Sequence, residues 1–255
     1  PTVVTLRGPM ERLDEGLRTR MEVAEGFSRV FQLGQYNTRL ARRIGDIPAE
    51  MLDRMTFAAF DPRGGQNASR EQRASLQYAL RFAKTWAADS GSWLLFTGPH
   101  GSGKTHLAVA IAGESIKQGR PVFFAFVPSL LDHLRATFSP DSLIGYDELF
   151  EQIKTVPLLI LDDLGAEVST PWAEDKLYQI VVHRHENRLP TIITTSFSMD
   201  ELEQAKPRIG SRMVDSLVVE EVLMIAPNYR DQRRESRATV DSGKSDGRRR
   251  RSPQS

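Results

Sequence analysis

The chain is 255 residues long, enough for one α/β domain with extensions. Its 40% hydrophobic and 26% charged content is that of an ordinary folded domain, and no apolar run reaches bilayer length. The absence of cysteine excludes disulfides and cysteine zinc sites and fits a cytoplasmic home. The formal net charge of +1 hides a split, because residues 228–255 hold nine Lys/Arg against four Asp/Glu. The rest of the chain is therefore acidic, and any nucleic-acid contact must come from a local patch or from that tail.

Residues 1–45 space Leu13, Leu17, Met21, Phe27, Val30, Phe31, Leu40 and Ile44 at helical intervals among dense charge, with Gly16, Gly26 and Gly34 interrupting. This predicts a helical N-terminal extension, either a cap on the main core or a docking segment for another protein. Residues 46–68 read as a linker, anchored by Phe57 and Phe60 and turned by Asp61-Pro62-Arg63-Gly64-Gly65. Ser69 and Gln72 form a capping-box pair, and Leu76, Leu80, Ala83 and Ala87 mark the face of the helix that follows.

Strands and helices then alternate. Strands are predicted over 93–97, 122–127, 158–163, 191–196 and 218–225. Helices are predicted over 104–118, 128–137, 143–154 and 170–187, with short segments at 199–204 and 207–215. Thr170 caps the fourth helix and Pro171 opens it. Such alternation predicts an α/β fold with a five-stranded parallel sheet between helices, joined by right-handed crossovers. From residue 231 onward Ser, Gly, Asp and Arg replace apolar residues, which predicts a disordered basic tail.

The first strand runs into Gly98-Pro99-His100-Gly101-Ser102-Gly103-Lys104-Thr105-His106, a P-loop pattern with strand before and helix after. Glycines let successive backbone N–H groups turn toward a phosphate chain, and the helix N-terminus adds its positive end. Lys104 would reach the β- and γ-phosphates and Thr105 would ligate Mg²⁺. These residues predict a site for ATP or ADP with Mg²⁺. His100 and His106 flank the loop, as a loop side chain and a packed helix residue.

The third strand ends in Asp162-Asp163, a Walker B pattern one α/β unit downstream. Asp162 would join Thr105 in the Mg²⁺ shell, and Asp163 would polarise the attacking water. The fourth strand ends in Thr194-Thr195-Ser196, where a polar group can touch the γ-phosphate or that water. Arg208 and Arg212 follow on a short helix. Arg212 could reach a neighbouring subunit's ATP, whereas Arg208 reads as a solvated helix-face residue. A small-molecule P-loop kinase would need an acceptor pocket and a lid supplying arginines in cis, and neither pattern is present. A nucleotide-gated binding module with little turnover stays open.

Taken together, Gly-Ser-Gly-Lys-Thr-His-Leu-Ala (101–108), Leu-Leu-Ile-Leu-Asp-Asp-Leu-Gly-Ala-Glu (158–167), Pro-Thr-Ile-Ile-Thr-Thr-Ser (190–196) and Arg-Ile-Gly-Ser-Arg-Met (208–213) resemble the DnaC/DnaI-type bacterial helicase loaders. The match extends upstream to Ile47-Pro48 and Thr56-Phe57-x-x-Phe60-Asp61, and downstream to Asn228-Tyr229-Arg230.

The resemblance implies an AAA+ ATPase domain over 69–230 without a separate lid domain. It also implies self-association into a spiral or ring on ATP and DNA, with Arg212 acting in trans. The implied partners are a replicative DnaB-type helicase, met by residues before about 45, and single-stranded DNA, met by helices over 128–154 with Arg135 and Lys154. No membrane is implied. The related IstB-type transposition helpers are the alternative.

The family's usual Asn and Glu are here Ser196 and Asp163, so slow hydrolysis is expected. The cysteine module that many members carry has no counterpart, so the helicase contact must differ. Arg230 is the nearest candidate for a lid-type arginine.

Overall fold

The computed structural model describes residues 45–65, 68–89, 91–138, 145–226 and 228–229. The predicted helices before residue 45, Arg230 and the basic tail lie outside the described residues.

The elements, in chain order, are α1 (Ala49–Arg54), α2 (Arg70–Asp89), β1 (Trp93–Thr97), α3 (Lys104–Lys117), β2 (Val122–Phe126), α4 (Val127–Ala136), α5 (Tyr146–Thr155), β3 (Leu158–Leu164), α6 (Pro171–Glu186), β4 (Thr191–Thr195), α7 (Met199–Ala205), α8 (Pro207–Met213) and β5 (Val219–Leu223). Local chemistry sets several boundaries. Ser69 and Gln72 cap α2 reciprocally at 3.1 and 2.8 Å. The Thr170 hydroxyl accepts from Ala173 N at 3.2 Å at the start of α6. Ser198 and Glu201 form a capping box on α7.

The strands form one sheet in the order β2-β3-β4-β1-β5, and every pair is parallel. All residues of β1 and β4 are buried, as expected of central parallel strands with helices on both faces. Leu94, Phe96, Ile160 and Ile192 share one core cluster with Leu76, Ala79, Ala83 and Trp86 of α2 and Leu107, Ala108 and Ile111 of α3. The alternate strand residues Leu95, Leu159, Leu161 and Ile193 are also buried, on the other face. Edge strand β5 keeps only Val219 and Val222 inside.

Several expectations shift. Val127 opens α4 instead of closing β2, with Pro128 in the first turn, where its missing N–H has no helical partner to lose. Helix α5 begins at Tyr146; the earlier predicted start, at 143, lies outside the described residues. Strand β3 runs on through Asp163 to Leu164, β4 ends before Ser196, and β5 is shorter at both ends. The stretch read as a linker contains α1, and Ile47, Phe60 and Ala68 within it are buried.

Candidate nucleotide site

The sheet order places β4 between β3 and β1, so the ends of β1, β3 and β4 lie side by side. Residues 98–103 leave β1 and turn directly into α3. The turn depends on left-handed backbone at Gly101 and Gly103, with φ of 77° and 103°. Neither has room for a side chain: a Cβ at Gly103 would lie 2.8 Å from the Phe60 ring, and one at Gly101 would run into the Asn228 side chain. The loop is thus clasped from outside, by the segment before α2 and by the segment after β5. Tyr229 N donates to Gly101 O at 3.2 Å on the same side.

Helix α3 starts without a side-chain cap, which leaves its first N–H groups to the loop. Ser102 Oγ is buried in the loop and has no protein hydrogen-bond partner. Uncapped N–H groups and an orphaned buried hydroxyl are what a phosphate chain would satisfy. Lys104 Nζ donates to Gly98 O at 2.6 Å and to Pro99 O at 2.9 Å, so the ammonium already lies along the inside of the loop.

Asp162 gathers the carboxylate side of the site. Its Oδ1 accepts from Thr105 Oγ1 and from Thr194 Oγ1, each at 2.8 Å. Burial pushes its carboxyl above the usual range, against the pull of these two hydrogen bonds; Asp163 adds to the rise and Lys104 opposes it. A cation beside Thr105 and Asp162 would reverse that shift. Among the described residues no three His, Cys, Asp or Glu side chains gather for a metal. One carboxylate and one hydroxyl suit Mg²⁺, which completes its shell with phosphate and water oxygens.

Asp163 takes the left-handed backbone, at φ 62°, within an irregularity of the β3–β4 pairing between Leu161 and Leu164. Its N–H donates to Thr194 Oγ1 at 2.9 Å. The Thr194 hydroxyl therefore joins both Walker B residues. Ser196 is half-buried just past β4. His106 turns away from the loop, with Nε2 2.8 Å from Thr56 O and its ring edge-on to Phe60 at 5.2 Å. Burial lowers its pKa, with the Thr56 carbonyl pulling the other way. His100 is exposed.

Arg212 lies on α8 and donates to Arg208 O at 3.0 Å and to the Tyr178 hydroxyl at 3.3 Å. The Arg208 guanidinium stacks on the Tyr178 ring, 3.6 Å from its centroid. Tyr178, on α6, thus gathers both arginines, and nothing in its own sequence neighbourhood announced it.

A second cluster spans α4, α5 and α6. Phe138 stacks on Tyr146 at 4.7 Å, Tyr146 on Phe150 at 5.3 Å, and Trp172 meets Phe138 edge-on at 6.2 Å. Arg135 lies 4.9 Å over Trp172, Lys154 5.5 Å over Phe150, and Lys176 5.8 Å over Tyr146. Arg135 and Lys154 so stand at the two ends of one ladder of rings, and Phe138 is 57% exposed.

Comparison with known proteins follows the same outline. The family model described as IstB-like ATP binding protein matches residues 47–238. The replicative helicase loader DnaI of Bacillus subtilis (strain 168) is 33% identical over 132 residues, which are 51% of this chain and 42% of that protein. The replicative helicase loader DnaC of Escherichia coli (strain K12) is 27% identical over 158 residues, 62% of each. A crystal structure of DnaI superposes with a TM-score of 0.55 at 28% identity, covering 72% of this chain and 94% of that one. The alignments thus span 42% and 62% of these two curated relatives' length, less than two thirds of either. The architecture is that of P-loop AAA+ proteins.

Proposed function

The chain belongs to the IstB-like ATP binding protein family over residues 47–238, and on that footing we propose that it is an ATP-hydrolysing switch that loads or remodels a replicative DnaB-type helicase on single-stranded DNA. One observation carries the nucleotide part: Thr105 and Thr194 converge on a single oxygen of Asp162, both at 2.8 Å, beside the P-loop. In this reading the N–H groups of residues 98–105 hold the phosphates and Lys104 swings from the Gly98 and Pro99 carbonyls to the β- and γ-phosphate oxygens. Thr105 and Asp162 would hold Mg²⁺, which would supply charge to neutralise those oxygens. Asp163 orients the attacking water and Ser196 reaches toward the γ-phosphate. Arg212 of an adjacent copy stabilises charge developing there.

The loader part is supported by the similarity to DnaI and DnaC. Residues 1–45 are then the docking segment, 69–230 the ATPase domain and 231–255 a basic tail. Phe138, 57% exposed at the outer end of the ring ladder with Arg135 over the neighbouring Trp172, supports contact with single-stranded DNA, because bases stack on open aromatic faces while Arg meets the backbone. Membership of the IstB-like ATP binding protein family keeps a second reading, an ATPase that remodels target DNA for a transposase.

ATP turnover with and without single-stranded DNA, for wild type and Arg212→Ala across protein concentrations, tests the first reading. Turnover that rises with concentration and collapses in Arg212→Ala supports a shared site. Turnover indifferent to both returns the protein to a monomeric switch. Stimulation by a transposase on duplex target, with none by a DnaB-type helicase, selects the second reading.

A further inference from the structure

Glu167 and Lys206 form an ion pair with Nζ 2.6 Å from Oε1, and their side chains are only 2% and 6% exposed. Such a pair adds little net stability, since desolvation offsets the attraction, so its place in the structure matters more than its strength. The other Glu167 oxygen accepts from Gly165 N at 2.8 Å, and Ala166 N donates to Asp163 O at 3.1 Å. Glu167 therefore closes the turn that leaves Asp163. Gly165, at φ 99°, rests against the Phe197 ring, where a Cβ would not fit.

Lys206 stands at the elbow between α7 and α8. Its N–H donates to Leu202 O at 2.9 Å, and its carbonyl accepts from Gly210 N at 2.7 Å. Gly210 packs so closely on α7 that a Cβ would lie 2.6 Å from Glu203 Cα. The elbow thus holds α8 against α7, and α8 presents Arg212 on Tyr178. One carboxylate ties the turn after Asp163 to the helix that bears Arg212.

We propose that Lys206, held by Glu167, is the positioning residue that sets Arg212 for the ATP site of an adjacent copy. This rests on the reading that Arg212 acts in trans. The pair joins the copy's own Walker B turn to the arginine it lends to its neighbour.

The test mixes two full-length variants. Lys104→Ala subunits hold no ATP but still lend Arg212, whereas Arg212→Ala subunits hold ATP but lend nothing. Turnover should return on mixing; if it does not, the shared site itself fails, independently of the ion pair. Given that return, Lys206→Met placed in the Lys104→Ala subunit should lower kcat on the order of tenfold to hundredfold with KM for ATP kept, the scale of a misplacement of about 1 Å. Lys206→Arg should restore most of it. The same change in the Arg212→Ala subunit should lower kcat far less. Equal losses from both sides, or none from the lending side, would overturn the proposal.

The neutral double variant Glu167→Gln with Lys206→Met leaves no unpaired charge and covers the case in which the single variant does not fold. A lending-side loss that persists in it supports the pair. Full turnover from it would show the pair to be dispensable.

Discussion

Arg184 brings a charge into the interior with no carboxylate among the described residues to meet it. Its side chain is fully buried, and it donates to Thr191 Oγ1 at 2.9 Å, Lys154 O at 3.0 Å, Val156 O at 2.9 Å and Pro190 O at 2.6 Å. The carbonyl end of α5 supplies the negative partial charge that a counter-ion would otherwise provide. Burial pulls its pKa down to about 9, still above neutrality, so the group stays charged at pH 7. Arg184→Met should destabilise the domain by about 3–5 kcal/mol, because the carbonyls it serves would be left buried and unpaired. Chemical denaturation reads this directly, and a change under about 1 kcal/mol would refute it.

His106 sets a second expectation at this scale. Its folded pKa lies below the ordinary imidazole value, so its contribution to stability is full above about pH 6.5 and is lost as pH falls through the lowered folded value. The melting temperature of the wild type should drop more between about pH 7 and pH 5 than that of His106→Gln. Parallel curves for the two would remove His106 as the cause.

At the scale of elements, the ring ladder and the P-loop differ in how they are built. The P-loop is contiguous and its strand and helix are its neighbours in sequence. The ladder takes Phe138 from the end of α4, Tyr146 and Phe150 from α5 and Trp172 from α6. Its cations are in part answered by acids one turn away, Arg135 by Asp132 at 3.7 Å and Lys154 by Glu151 at 2.6 Å. Stacking rather than charge should then dominate its affinity. Phe138→Ala, at the exposed end of the ladder, is expected to weaken single-stranded DNA binding by about 1–3 kcal/mol, with the slope of affinity against salt kept. A variant that loses slope but not affinity at low salt would assign the site to phosphate contacts instead.

Across the whole molecule, charge is divided between an acidic body and the basic stretch 228–255, with its run Arg248-Arg249-Arg250-Arg251. Truncation after Arg230 should reduce nonspecific DNA affinity and flatten its salt dependence while leaving ATP turnover without DNA intact. Unchanged DNA binding over a salt series would show the run to be only a solvated tail. Among the described residues no helix is long and apolar enough to cross a membrane.

What was legible in the sequence is what depends on neighbours along the chain. Apolar runs of strand length, the caps Ser69 and Thr170, and the Gly98 to Thr105 loop report their own conformation, because backbone preference and capping act within a few residues. Spacing by one α/β unit was enough to pair Asp162 with Thr105. Residues whose partners arrive from elsewhere were not legible. Arg184 lies on a helix and Lys206 at a helix end, and packing against α5, β4 and Glu167 makes them interior.

His185, on the last turn of α6, is likewise held by partners from elsewhere in the chain. Its ring meets Trp93 at 5.7 Å and its Nε2 lies 3.3 Å from Asp215. Thr194 joins the Walker B pair where β3 and β4 slip out of register around a left-handed Asp163, a local event that the pairing of two strands decides. The sequence by itself determined the strand order of events along the chain and the phosphate loop. Tertiary structure alone decided which polar side chains meet across it, since a buried hydrogen bond forms only where folding brings two distant groups within about 3 Å.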